Sequence, residues 1–408
     1  MRLSALPPVR RSVPLKRGSR GARLSMERFF GDRTITLYPS GTAALAKAIA
    51  DCAARSSASA PEVIIPAYGC PDLVAACLHA GVYPRVVDVM PSHWSYDPAA
   101  LASGLSPDTV AIVAVNLLGL GDGADELAPL CKSRAIYLIQ DSAQYLPRQV
   151  SNWPGDYVIL SFGRGKPLNL LHGGAMIENP AARSARSTEL PTAHYTFKDR
   201  LLASRAAAMS FNILTRPHVY RLFSMLPGTG LGKVTYKPLG NAAPLPESAW
   251  DRVGIGFELY RQKRSYRRDI WESSLGEWSM MGVEALSCPG SALQTEPLRL
   301  ALLAPDEAAR EVLVNTLNQN GLGASRFYDT DLTGVAAIPE VITSQGPFPQ
   351  AKTLAGRLFT LPTHELVTPA ALEATCEAVR AWHRTAAAPH VTSAALPRQA
   401  AKPGTNLE

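Results

Sequence analysis

Between Ser40 and Pro180, short apolar runs alternate with helix-forming segments, and this alternation limits the possible folds more than any other feature of the chain. Residues 62–65, 85–89, 110–116, 136–140 and 157–162 each read as a short strand. Residues 42–54 (alanine-rich), 71–80 (stopped at Gly81) and 124–133 (after a glycine-rich turn) read as helices between them. Parallel neighbours need crossover connections, and helices supply them. The alternation therefore predicts an α/β fold: a mostly parallel sheet covered by helices on both faces, in three α/β/α layers.

The remainder divides around this core. Residues 1–33 read as an irregular basic arm, 34–247 as the large domain, 248–384 as a smaller α+β C-terminal domain and 385–408 as a mobile tail rich in Ala, Pro, Ser and Thr. Residues 181–250 are less regular. Within them 198–226 read as one helix carrying Arg200, Arg205, Arg216 and Arg221 among apolar positions. A basic amphipathic helix can lie on a membrane, but the expectation here is a core-facing helix with a solvated basic side. A long helix runs from Ser248 towards Trp278, and no internal repeat is present.

Composition narrows the class. Of 408 residues, 46% are hydrophobic and 18% charged, which fits a globular protein and not a disordered one. The longest apolar stretch, near 109–120, is too short to span a bilayer, and the N-terminus lacks the apolar core of a secretory signal. The formal charge is +7, but residues 1–28 alone hold eight Arg/Lys and one Glu. With the excess so local and no binding motif, nucleic acid is not expected as a partner. The six cysteines form no Cys-x-x-Cys pair and no zinc spacing, so they read as reduced thiols in a cytoplasmic protein with no metal site.

The chemistry gathers at element ends. Lys166 follows the 157–162 strand inside Ser161-Phe-Gly-Arg-Gly-Lys166, where glycines let the backbone approach a bound group. Asp141 ends the 136–140 strand, at the sheet edge where α/β proteins place ligands. Ser40-Gly41-Thr42 opens a helix whose N-terminal N–H groups and Thr42 hydroxyl suit a phosphate, and Ser161 adds a second hydroxyl. Singly, these read as a surface lysine, a turn cap and an N-cap. Together they match the needs of pyridoxal 5'-phosphate (PLP): a lysine for its aldehyde, a carboxylate for its ring nitrogen and a cradle for its phosphate.

The sequence here resembles the DegT/DnrJ/EryC1/StrS family of PLP-dependent aminotransferases. SGTAAL from Ser40, EVIIPAYGCPDLVAACLHAGVYPRVVDV from Glu62, IQDSAQ from Ile139, SFGRGKPLNLLHGGAMI from Ser161 and FPQAKTLAGRLFTLPTHELVT from Phe348 carry the likeness, which runs from about 37 to 384. The resemblance implies the aspartate-aminotransferase fold (fold type I) and a homodimer. It implies that Lys166 holds PLP as a Schiff base and shuttles the proton, that Asp141 meets the ring nitrogen and that Gln144 contacts the ring or its oxygen. Gly41, Thr42 and Ser161 would hold the phosphate. The implied reaction takes an amino group from glutamate or glutamine to a keto group, commonly on a nucleotide-linked sugar of polysaccharide biosynthesis.

Three positions depart from the family pattern. The ring-stacking aromatic falls on Cys70, with Tyr68 close by. The Gly-x-Asn-x-Arg segment is missing, with Asn241 in roughly that region. His172 replaces a common acidic residue, and it and Arg164 are candidates for an anionic substrate. Rival readings are a PLP-dependent dehydratase or lyase, disfavoured by Lys166 where dehydratases of the family carry His, and a non-catalytic regulator of the same fold. A dehydrogenase is a third, but Gly119-Leu-Gly-Asp-Gly123 brings its third glycine one position early for a dinucleotide loop.

Overall fold

A computed structural model of the chain describes residues 4–7, 9, 11–12, 21–31, 33–148, 152–179, 200–224, 234–262, 269–290 and 297–387. Helix α1 (Gly21–Phe29) leads into β1 (Thr34–Tyr38) and α2 (Gly41–Ala54). The alternation continues through β2 (Glu62–Pro66), α3 (Asp72–His79), β3 (Tyr83–Val87), α4 (Pro98–Gly104), β4 (Thr109–Val115), α5 (Ala124–Ser133), β5 (Tyr137–Asp141), β6 (Tyr157–Ser161) and β7 (Gly174–Glu178). Two exposed helices, α6 (Arg200–Leu214) and α7 (Pro217–Ser224), precede α8 (Trp250–Gln262) and α9 (Asp269–Met280). The C-terminal part holds β8 (Glu284–Ala285), β9 (Arg299–Leu303), α10 (Glu307–Gln319), α11 (Glu340–Thr343), α12 (Pro349–Arg357), β10 (Leu358–Pro362) and α13 (Pro369–Ala387).

Seven strands form one sheet in the order β1-β7-β6-β5-β4-β2-β3, and β10-β9-β8 form a second, antiparallel one. Strands β6, β5, β4, β2 and β3 run parallel, while β7 is antiparallel to both β6 and β1. The period-2 pleat explains why these strands are apolar throughout. Val63, Ile65, Val113 and Ile139 point into the layer with α2 and α3, whereas Ile64, Ile112 and Leu138 meet α4 and α5 on the opposite face. A third cluster joins Phe29 of α1 and Phe257 of α8 to Val158, Leu160 and Ile177. The small sheet is covered by Trp271 and Trp278 of α9, Leu313 of α10 and Val379 of α13.

Several expectations need correction. The basic arm is not irregular throughout, because α1 forms within it and buries Met26, Phe29 and Phe30. The helix expected over 198–226 is broken at Thr215–Arg216, where Pro217 cannot continue α6 and instead begins α7. Four of its apolar positions are not core-facing, since Met209, Ile213, Leu214 and Leu222 are exposed. From Trp250 to Met280 two helices are described, with 263–268 outside the described residues. Helix α13 extends to Ala387, past the boundary expected at 385, and residues 388–408 lie outside the described residues.

Candidate active site

Sheet order creates the site. Adjacent β4, β5 and β6 all run the same way, so their carboxyl ends at Val115, Asp141 and Ser161 lie side by side. Because β7 returns antiparallel, Gly174 pairs with Ser161 and meets the start of α2. This junction is tight. A Cβ at Gly174 would lie 2.5 Å from the Gly41 nitrogen, and one at Gly41 would lie 2.8 Å from Ser161 Cβ. Glycine at both positions thus lets the helix N-terminus approach the strand ends. Ser40 caps α2 by accepting from the Ala43 N–H at 3.1 Å.

One cavity opens there. Gly41, Thr42, Cys70, Asp141, Gln144, Ser161 and Lys166 line it, together with Asp72 and Tyr328. Seven of the ten residues singled out from the sequence therefore meet in one place. Lys166 is reached through Gly165, whose φ of +74° only glycine adopts readily. On its outer side Gly165 packs against Val9, so the N-terminal arm passes beside the lysine. That arm is tied down by Leu6 N–H to Gly321 O at 2.8 Å and by His364. His364 Nδ1 accepts from the Leu366 N–H, so its Nε2–H donates to Pro7 O at 2.8 Å.

Burial pushes the Asp141 carboxyl above the usual carboxylate range, opposed by the Ala143 N–H donated to it at 3.0 Å and by the Lys166 charge, while nearby Asp72 adds to the rise. A carboxylate so placed is suited to a cationic partner. Burial pushes the Cys70 thiol up to about 12, so it is neutral at physiological pH. Gln144 is held from two sides: Oε1 accepts from the Leu118 N–H at 2.8 Å, and Nε2 donates to the Tyr328 hydroxyl at 3.1 Å. The Thr42 hydroxyl donates to Asp72 Oδ2 at 3.0 Å.

The other three candidates lie elsewhere. Tyr68 is buried behind the cavity, where its hydroxyl donates to Tyr328 O at 3.2 Å. Its ring is edge-on to those of Trp94 and Tyr328, a packing role. Arg164 is exposed and outside the lining. His172 is also exposed and contacts the buried Arg252 at 2.8 Å, while Arg252 itself donates to Leu170 O, fixing the segment after Lys166. Asn241 is exposed and caps its own turn by accepting from Ala243 N–H at 2.8 Å. Sequence reading missed Asp72 and Tyr328. Asp72 reads as an ordinary acidic first-turn residue of α3, and Tyr328 arrives from the far part of the chain with no local pattern.

The glycine-rich turn after β4 packs against the small sheet. Leu117, Leu118 and Leu120 are buried, Leu118 has a φ of 56° and its carbonyl accepts from Leu298 N–H at 2.8 Å. Gly119 lies against Pro297, so the turn docks the segment that leads into the small sheet.

The chain is similar to known proteins in sequence and in fold. The profile of the DegT/DnrJ/EryC1/StrS aminotransferase family matches residues 22–196. L-glutamine:2-deoxy-scyllo-inosose aminotransferase of Micromonospora echinospora is 36% identical over 158 residues, which is 37% of this chain and 36% of that protein. Protein MosB of Rhizobium meliloti is 28% identical over 186 residues, 43% of this chain and 36% of its own length. The match thus spans little more than a third of these curated relatives. In structure, the PLP form of a putative sugar aminotransferase, Spr1654 of Streptococcus pneumoniae, covers 94% of this chain and 98% of its own, with a TM-score of 0.63 at 15% identity. That likeness carries the fold across the small sheet. Residues 22–196, the stretch that matches the family profile, supply every residue of the cavity lining except Tyr328.

Proposed function

We propose that the protein is a PLP-dependent aminotransferase that moves an amino group from glutamate or glutamine to a keto group on a sugar-derived acceptor. The acceptor class includes nucleotide-linked sugars and, from the name of the Micromonospora relative, keto-cyclitols. The observation that carries this reading is the meeting of Lys166, Asp141, Gly41 and Ser161 in one cavity.

The donor set fits PLP. A buried carboxylate raised by burial waits for a cationic ring nitrogen, and the glycine-tight end of α2 leaves its N–H groups for a phosphate. Bound there, PLP would supply an electron sink for the charge left when a substrate carbon loses its proton. Asp141 would keep the ring nitrogen protonated. Gly41, Thr42 and Ser161 would hold the phosphate, with Thr42 turning its hydroxyl from Asp72. Lys166 Nζ would bond the cofactor and then, freed by the amino donor, carry the proton between substrate carbon and cofactor. Gln144, fixed by Leu118 and Tyr328, would set the position of the ring. Cys70 would lie against the ring as a small neutral group, with no stacking aromatic at that position. Arg164 and His172, exposed and outside the cavity lining, are the candidates for an anionic part of the substrate, and Tyr68 braces Tyr328 behind the site.

We further infer a cytoplasmic homodimer with domains at 34–247 and 248–384, a reading that rests on family likeness and on all six cysteines being free thiols. The test of function incubates the PLP-loaded protein with glutamate or glutamine, follows the pyridoxamine spectrum and 2-oxo acid, then adds keto-sugar nucleotides and keto-cyclitols. Conversion by a donor and reversal by a keto-sugar or keto-cyclitol is the expected result. Dehydration or elimination without conversion by any amino donor would instead identify the dehydratase class.

A further inference from the structure

Helices α6 and α7 leave an apolar surface uncovered. Among the described residues, four of the eight large apolar side chains left exposed fall within 209–222: Met209 at 68%, Ile213 at 46%, Leu214 at 41% and Leu222 at 70%. Ala206 and Ala207 are exposed beside them, and the exposed side chains described for α6 carry no charge. A patch of this kind marks an interaction site. The helix pair is tied to the N-terminal arm: Ser12 N–H donates to Asn212 Oδ1 at 2.8 Å, and Ala5 N–H to Pro217 O at 3.0 Å.

Charge indicates what covers the patch. Between Arg200 and Pro246 the sequence has four Arg and two Lys but no Asp or Glu, so this stretch is strongly basic. Arg216 is exposed at the junction of the two helices, and exposed Arg11 runs close by, since its neighbour Ser12 bonds α6. A second copy docked on this face by two-fold symmetry would bring the same arginines against themselves. An anionic surface with an apolar interior satisfies both features at once. No helix among the described residues is long and apolar enough to cross a membrane, so the contact would be lateral.

We propose that the α6–α7 face docks the enzyme on the surface of an anionic lipid bilayer. Apolar side chains Met209, Ile213 and Leu222 enter the interface, while Arg216 and Arg11 meet the headgroups. The proposal stands independently of the reaction assigned to the cavity.

The test uses the full-length, PLP-loaded protein in flotation with phosphatidylcholine vesicles, with and without phosphatidylglycerol, at low and high salt. The protein should float with the anionic vesicles and be released by salt. Combined Met209→Ser, Ile213→Ser and Leu222→Ser should abolish flotation with the circular dichroism spectrum and glutamate half-reaction unchanged. Arg216→Gln should weaken the binding by about fivefold, the effect of one basic residue near an anionic surface. Failure of the wild-type protein to float with anionic vesicles would overturn the proposal. So would undiminished flotation of the triple variant. Dissociation of a wild-type dimer by the triple variant, read by light scattering, would overturn it too, because the face would then be an interface between copies.

Discussion

Replacing Gly174 with alanine adds one methyl group at the junction of β7, β6 and the start of α2. Its position is 2.5 Å from the Gly41 nitrogen, 2.5 Å from the Ser40 carbonyl carbon and 2.6 Å from the Ser40 oxygen. Ordinary contacts begin near 3.4 Å, so β7 and the α2 terminus must separate by roughly 0.9 Å, and the obstacle is backbone that cannot rotate away. Overpacking of this kind costs about 1–3 kcal/mol, which lowers the ratio of folded to unfolded protein roughly 5- to 150-fold. The same shift carries the Gly41 N–H away from Ser161, so PLP affinity falls along with stability. Urea unfolding of the apoprotein and a spectroscopic PLP titration measure the two effects. Gly276→Ala in α9 is the control: nothing lies within 4 Å of its new methyl, and helix propensity alone should stabilise it by up to about 1 kcal/mol. A Gly174→Ala protein with unchanged urea midpoint and unchanged PLP affinity would refute the claim that this glycine shapes the phosphate cradle.

Asp141→Asn separates stability from function. Burial raises the Asp141 carboxyl, so the folded apoprotein holds that proton more tightly than the unfolded chain does. Its contribution to stability is therefore lost as pH rises from the ordinary carboxylate value through the raised one. The Asn variant should make the apoprotein more stable at neutral pH, with the difference vanishing in acid below the ordinary value, in urea titrations across pH. The same variant should slow the glutamate half-reaction by orders of magnitude, because a neutral amide cannot keep the ring nitrogen protonated. Asp72→Asn removes a negative charge that shares Thr42 with the phosphate site. In a water-like dielectric its repulsion of a dianion is about 1–2 kcal/mol, so PLP should bind roughly 5- to 30-fold more tightly, an effect that shrinks with added salt in equilibrium titration.

The sheet was legible because its physics is local. Strands such as Thr109–Val115 are apolar on both pleat faces, and that pattern belongs to a buried parallel strand. Residues at strand ends were legible for a related reason: sheet order places Asp141 and Ser161 together once the strands are known. Strands β1 and β7 were harder, since β7 is antiparallel and pairs across a long sequence gap to β1. Tyr328 was invisible because its place depends on how the small sheet docks through Gly119 and Leu298. Tyr68 and Cys70 show the limit of spacing arguments. Two positions apart, they face different surroundings, and only Cys70 reaches the cavity. The exposure of α6 was misread because an apolar helix stripe shows what needs covering but not whether this chain covers it.

Lys166 is the residue proposed to bind the cofactor. Borohydride reduction of the PLP-loaded protein, followed by peptide mapping, tests it most directly. A single pyridoxyl-modified peptide carrying the adduct on Lys166 is expected. An adduct on another lysine, or no adduct from protein reconstituted with PLP, would contradict it.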